Sequence, residues 1–215
     1  MADLIRPARR GLMLILSSPS GAGKSTLTRT LSQKETNLDL SISVTTRERR
    51  PSEIDGVHYR FIEREAFDQL RERDDLLESA EVHGNGYGTP RKPVEAALKA
   101  GRDVLFDIDY QGTQQILEKA REDVVAIFIL PPSMAELRSR LVRRAEDAPE
   151  VIARRLANAR DEIARWNVYD YVIINDDLGA AYEAVRSILA AERLKRSRAT
   201  GMPAFVEALL SEQVG

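Results

Sequence analysis

Residues 12–26, LMLILSSPSGAGKST, set a lysine and two hydroxyls directly behind a run of small residues, an order that suits the binding of phosphate groups. Gly21 and Gly23 permit positive φ and close backbone approach, so successive N–H groups turn inward on an anion and the helix that follows adds its positive end. Lys24 would then reach the β- and γ-phosphates of a nucleoside triphosphate, and Ser25 would hold Mg²⁺. The pattern G-x-x-x-x-G-K-S/T is met with one departure, Ser18 in the place of its first glycine, which leaves the turn geometry there open. The candidate loop is Ser18, Pro19, Ser20, Gly21, Ala22, Gly23, Lys24, Ser25 and Thr26. A chance glycine-rich turn is the alternative, and it needs neither the strand before the loop nor the helix after it.

Further along, four more groups could do chemistry. Arg47 and Arg50 lie in one polar loop with Tyr59, and guanidinium forks beside a phenol suit a terminal phosphate, although a charged solvated loop reads the same way. Glu78 precedes a glycine hairpin that Thr89 closes, which could bring a carboxylate and a hydroxyl to one base edge; taken alone, Glu78 reads as an ordinary exposed carboxylate. Asp107 and Asp109 alternate at the end of one expected strand, so both point to one face where ligands gather in open α/β sheets. Asp107 there suits a water-mediated Mg²⁺ contact, the alternative being a capping role. Arg140 and Arg144 are one helical turn apart, and Arg155 follows on the next helix; any one of them also reads as part of an Arg-rich solvated helix.

The elements that must position these groups follow from periodicity. Residues 12–16 form an unbroken apolar run, the mark of a strand buried on both faces, and Leu27 and Leu31 open a helix. Strands are expected over residues 40–46 and 57–62, a helix over 64–76 with Phe67 and Leu70 inward, a strand over 76–82 and a glycine hairpin over 83–90, together a small α+β lobe. The chain then alternates helix 94–100, strand 104–109, helix 114–121 and strand 124–130, the rhythm of a parallel sheet with crossover helices. Ser133 and Glu136 form a capping box for a helix towards Arg144, residues 145–149 interrupt it, and a second helix runs to about Trp166. Residues 169–174 are a last apolar strand, followed by a helix with Leu178, Tyr182, Val185 and Leu189 at core spacing. The tail carries a basic patch and a short apolar stretch over 205–210 that could dock on the body or on a second subunit, or stay solvated.

Composition narrows the function classes. The 215 residues suffice for one substantial core with inserted lobes. With 32 basic against 34 acidic residues there is no global electrostatic case for binding nucleic acid. Absence of cysteine excludes disulfides, thiolate catalysis and cysteine metal sites, and the 25-residue gap between His58 and His83 fits no common zinc pattern. No stretch is long and apolar enough for a membrane span or a signal-peptide core, so a cytoplasmic protein is expected.

Taken together, SSPSGAGKST, VTTRERRPSEIDGVHYRF, GNGYGTP, DIDYQG and VIINDDL resemble, in order and spacing over about residues 11–195, the guanylate kinases, which phosphorylate GMP with ATP. The resemblance implies an α/β phosphate-loop kinase core with a parallel five-stranded sheet flanked by helices (residues 11–40, 94–131 and 168–195), a GMP-binding lobe (41–93), a helical lid (132–167) and a tail (196–215). It implies that Arg47, Arg50 and Tyr87, with Tyr59 nearby, bind the GMP phosphate, that Ser43 and Asp109 join Glu78 and Thr89 in the guanine pocket, and that Asn175 touches the adenine side of ATP. Arg140, Arg144 and Arg155 match the lid arginines, acting with Lys24 on the transferring group, and Mg²⁺ accompanies ATP at Ser25 and Asp107. Guanine offers N1–H and an amine to a carboxylate and O6 to a hydroxyl, whereas adenine would leave a buried Glu78 with unpaired acceptors. Two rivals remain: a guanylate-kinase-like interaction module without catalysis, and a phosphate-loop kinase of another phosphorylated acceptor such as a sugar phosphate. Monomer and homo-oligomer are both open.

Overall fold

The computed structural model describes residues 7–144 and 149–213, the side chain of Arg144 excepted. In chain order the elements are β1 (Met13–Ser17), α1 (Lys24–Lys34), β2 (Leu38–Leu40), β3 (Val44–Thr45), β4 (Arg60–Phe61), α2 (Arg64–Glu72), β5 (Leu76–Val82), β6 (Asn85–Pro90) and α3 (Arg91–Lys99). There follow β7 (Asp103–Asp107), α4 (Tyr110–Ala120), β8 (Val124–Leu130), α5 (Met134–Arg144), α6 (Pro149–Ile163), β9 (Tyr171–Ile174), α7 (Leu178–Arg193) and α8 (Met202–Ser211).

Alternate residues of β1 are buried on opposite faces, which is why its apolar run has no break. Leu14 and Leu16 pack with Leu27 and Leu31 of α1 and with Val185 and Leu189 of α7. Met13 and Ile15 pack on the other face with Val94 and Leu98 of α3 and Ile116 of α4. The sheet is parallel throughout, in the order β2-β7-β1-β8-β9. From β1 the chain crosses to β2 on one side, while β8 and β9 lie on the other, so the loop after β1 opens at the point where the winding reverses.

A second sheet, β4-β3-β6-β5, carries α2 through Val44, Phe67 and Leu76. Helices α5 and α6 pack through Leu137, Leu141 and Ala159. The Glu136 N–H donates to Ser133 Oγ at 3.0 Å, one half of the expected capping box; the other half is missing because the Glu136 carboxylate takes Arg140 and Arg143 instead. The interruption expected over 145–149 lies outside the described residues except for Pro149, which opens α6.

The structure corrects several boundaries, each for a tertiary reason. The strand expected over 40–46 is two strands in two sheets: the Ser41 N–H still bonds Leu105 O in the first, whereas Val44 pairs with Arg60 and Gly88 in the second. Of 57–62 only Arg60 and Phe61 are strand, because Val57 and His58 turn back on the Ile54 carbonyl. The helix read over 64–76 ends at Glu72, and that over 94–100 begins at Arg91. The glycine hairpin is a turn at His83 and Gly84, both at positive φ, leading into the regular strand β6. Strand 104–109 stops at Asp107; Asp109 instead caps α4, its carboxylate accepting the Gly112 N–H at 3.0 Å, so that helix begins at Tyr110 rather than near Gln114. The two aspartates therefore do not share a strand face. Strand 169–174 begins at Tyr171, since Tyr169 stacks on Phe128 with ring centroids 4.7 Å apart. Leu178 is exposed rather than core, and α8 has no buried residue.

Candidate active site

Beyond β1 the chain reverses around two left-handed residues, Gly21 at φ +92° and Gly23 at φ +104°. Both are glycines for reasons of space as well as backbone. A Cβ on Gly23 would stand 2.3 Å from Asn175 Nδ2, and one on Gly21 would meet Leu141 and Leu137 of α5 at 3.0 and 3.1 Å. Ser18 is not among the described residues at positive φ, and its Oγ lies 3.0 Å from the Pro19 carbonyl. The turn therefore needs no glycine at that position.

Behind the loop, Asn175 is buried and donates from Nδ2 to Ala22 O at 2.7 Å. Arg140 reaches the same carbonyl at 3.4 Å and donates to Asn175 O at 3.0 Å while its Nε holds Glu136. In this state Asn175 and Arg140 brace the loop from beneath. Arg155 is half-buried and engaged on α6, and the Arg144 side chain lies outside the described residues.

In front of the loop a cavity of about 270 Å³ is bounded by Ser18, Pro19, Ser20, Gly21, Gly23, Lys24 and Ser25 together with Asp109 and Glu162. Ser25 is exposed in the first turn of α1, as is consistent with a ligand-facing hydroxyl, and Thr26 is half-buried behind it. Lys24 forms an ion pair with Asp107 at the end of β7. Burial pushes its ammonium down to about 8, against the upward pull of Asp109 and Glu162.

On the second sheet the β5–β6 register sets Glu78 opposite Thr89. Thr89 Oγ1 donates to Glu78 Oε1 at 2.7 Å and lies 3.2 Å from Ser43 Oγ, so the three polar groups form one chain. Glu78 is 7% exposed, which overturns its reading as an ordinary surface carboxylate. Burial raises its carboxyl above the usual range, the Thr89 hydroxyl opposes that rise and the Asp109 charge adds to it. Asp109, which reaches electrostatically to Lys24 as well, stands between the two half-sites.

Arg47 lies 5.7 Å from the Tyr59 ring centroid, and Tyr59 meets Tyr87 edge-on at 5.9 Å. The Tyr87 hydroxyl and Glu53 both act on the Arg47 guanidinium. Glu53 accepts from Arg47 at 2.7 Å and from the Arg50 backbone N–H at 2.9 Å, which holds its carboxyl below the usual range. The exposed Arg50 side chain thus enters the cluster through its backbone. Glu53 went unnoticed in the sequence, although an acid inside a loop of arginines signals an anion seat with its own occupant. Also missed were Glu162 and the stack of the Arg165 guanidinium on the Tyr110 ring at 3.7 Å, which sequence reading takes for helix surface.

Hard oxygen donors, the Ser25 hydroxyl and the Asp107 carboxylate, are the type that Mg²⁺ takes. Among the described residues no group of three or more His, Cys, Asp or Glu could hold a metal ion.

A phosphate loop at the switch point of a parallel sheet, with a second sheet that carries a polar triplet built on the buried Glu78 and Thr89 and an arginine–tyrosine cluster, defines the class of phosphate-loop nucleotide kinases. Comparison with known proteins narrows the class. The family model described as guanylate kinase matches residues 10–192. A guanylate kinase of Agrobacterium fabrum is 62% identical over 96% of this chain and 94% of its own, and one of Rhizobium etli is 63% identical over 97% and 94%. The crystal structure of guanylate kinase from Anaplasma phagocytophilum superposes with a TM-score of 0.75 at 38% identity, covering 97% of this chain and all of that one. The chain belongs to the guanylate kinase family. Among the described residues no helix is long and apolar enough to cross a membrane.

Proposed function

We propose that this chain transfers the γ-phosphoryl group of ATP to GMP, and to dGMP, giving ADP and the nucleoside diphosphate, with Mg²⁺ accompanying ATP, in the cytoplasm. The observation that carries the reading is the Ser43–Thr89–Glu78 chain, its Thr89 and Glu78 buried, with Asp109 acting both on it and on the Lys24 of a phosphate loop. A carboxylate already polarised by a hydroxyl offers acceptors to guanine N1–H and the exocyclic amine, and Ser43 and Thr89 offer hydroxyls to O6. Adenine would leave the carboxylate unpaired in a buried site.

Arg47, Arg50, Tyr59 and Tyr87 then hold the acceptor phosphate, which displaces Glu53 from Arg47 as it enters. The backbone N–H groups of Gly21, Gly23, Lys24 and Ser25 and the Lys24 ammonium hold the donor phosphates, and Lys24 leaves Asp107 for them. Ser25, and Asp107 through water, would hold Mg²⁺, which would supply charge neutralisation on the donor phosphates. Arg140, Arg144 and Arg155 stabilise the transferring group when α5 and α6 close over it, and closure excludes water. Asn175, with its Nδ2 engaged by Ala22, has its carbonyl oxygen for the adenine side. The acceptor phosphate is an anion at neutral pH and attacks in line, so the site needs neither a covalent nucleophile nor a strong base.

Coupled ADP release with Mg·ATP, tested against GMP, AMP, UMP, CMP and a sugar phosphate, checks the reading. Turnover with GMP is expected. Turnover with a different acceptor would overturn the base pocket, and GMP binding without turnover would favour an interaction module. Lys24→Met is expected to lower kcat by about 10³-fold while GMP still binds, as judged by calorimetry.

A further inference from the structure

Glu162 stands in the last turn of α6, and its carboxylate closes the phosphate-loop cavity beside Lys24, Ser25 and Asp109. Its Oε2 is shut off from solvent and has no hydrogen-bond partner. The Ser20 backbone N–H acts on the carboxylate, which lies on the wall of the space that a ligand enters. One residue before the 3₁₀ turn at Trp166, Arg165 stacks on Tyr110, and this pins the end of α6 to the start of α4. The carboxylate is therefore held where it is by its helix.

The charges around the cavity are unbalanced. Lys24 already faces Asp107, and Asp109 and Glu162 add two more carboxylates. Bare triphosphate carries the same sign of charge and competes for the same loop N–H groups, so it would meet Glu162 with repulsion. A hydrated divalent cation brings the opposite: positive charge, and waters that donate outward. Resting on the reading of this loop as an ATP site, we propose that Glu162 is a specificity-determining residue by which the site rejects uncomplexed nucleotide and accepts its divalent-cation complex. The discrimination works by placing a repulsive element against the wrong ligand as well as a partner for the right one.

Calorimetric titration of the full chain with ATP, once with Mg²⁺ and once with EDTA, reads this directly without turnover. Glu162→Gln is expected to bind ATP in EDTA about tenfold more tightly than the wild type does, shrinking the ratio of the two affinities by the same factor. Asp161→Asn, which removes an equal charge from the exposed neighbouring position, should leave the ratio unchanged. A ratio for Glu162→Gln within twofold of wild type overturns the proposal, as does an equal shift in Asp161→Asn. Should Glu162→Gln fail to fold by circular dichroism, Glu162→Ala takes its place with the same expectation. If the wild type binds ATP in neither condition, the ATP reading itself falls; a wild-type preference for the complex that Glu162→Gln retains sinks only the role of Glu162.

Discussion

In the proposed GMP site Glu78 would set specificity through what it costs to leave a buried carboxylate unpaired. Its carboxylate is buried, and Thr89 satisfies one oxygen. Replacing it by glutamine turns an N–H towards guanine donors, and kcat/KM for GMP is expected to fall about 100-fold while ATP affinity, measured separately, is unchanged. The pH dependence carries the same signature. Only the ionised carboxylate accepts both guanine donors, and its pKa lies above the ordinary carboxylate value. Affinity for GMP is therefore complete above that raised pKa and declines as pH falls through it, on a limb displaced upward from about 4.3. Glu78→Gln should lose the limb. A limb that persists in the variant, read from KM against pH, would assign the titration to another group.

At the scale of elements, the loop, α5 and the end of β9 are braced together in this state, because Gly23, Asn175, Ala22 and Arg140 share contacts that closure of α5 would exchange for the ligand. Gly23→Ala adds a Cβ 2.3 Å from Asn175 Nδ2 at a residue with φ +104°, so it is expected to destabilise the fold by roughly 2–4 kcal/mol and to abolish ATP binding. Gly56→Ala is its control: φ there is +74° and nothing lies within 4 Å of the new Cβ, so only about 1–2 kcal/mol of backbone strain is expected, with ATP binding intact. Urea titration and calorimetry separate the two, and equal losses would mean that the packing against Asn175 carries nothing. The loop itself was legible in the sequence because β1 is apolar on both faces and the glycines sit at fixed offsets from Lys24. The split at Ser41 was not, since 40–46 alternates smoothly while its ends bond to different sheets. Nor was the cap at Asp109: the residues 104–109 keep strand-like character, and only the Gly112 N–H turns the last of them into a helix start. Asn175 was recognised by its place after the last strand, yet its hold on Ala22 depends on a contact 153 residues away in sequence, which no local pattern carries.

Across the whole molecule, the groups proposed to bind nucleotide collect at the carboxyl ends of the strands, and the ion pairs of Asp103 lie at the other end. Asp103, fully buried at the start of β7, accepts from Arg9 at 2.7 and 2.9 Å, from Arg193 at 2.6 Å and from the Leu12 N–H at 3.0 Å. Close by, the Arg10 N–H donates to Arg198 O and the Gly201 N–H to Ala8 O, so both ends of the described chain are fastened beneath the sheet. Removing the shared carboxylate leaves the half-buried Arg9 guanidinium without an acid and Arg193 with Glu35 alone, and Asp103→Asn is expected to lower stability by about 3 kcal/mol. An exposed pair on the same edge, Arg102 with Asp39, should be worth less than about 1 kcal/mol when Arg102 becomes alanine. Because the cluster lies away from the phosphate loop, kcat of folded Asp103→Asn protein at low temperature should equal that of the wild type. The separation is what makes the measurement informative: a midpoint shift in urea with unchanged kcat places stability and chemistry at opposite ends of one sheet. A loss of kcat in fully folded variant would instead mean that the clamp at the start of β7 sets the position of Asp107 at its end, four residues along the same strand.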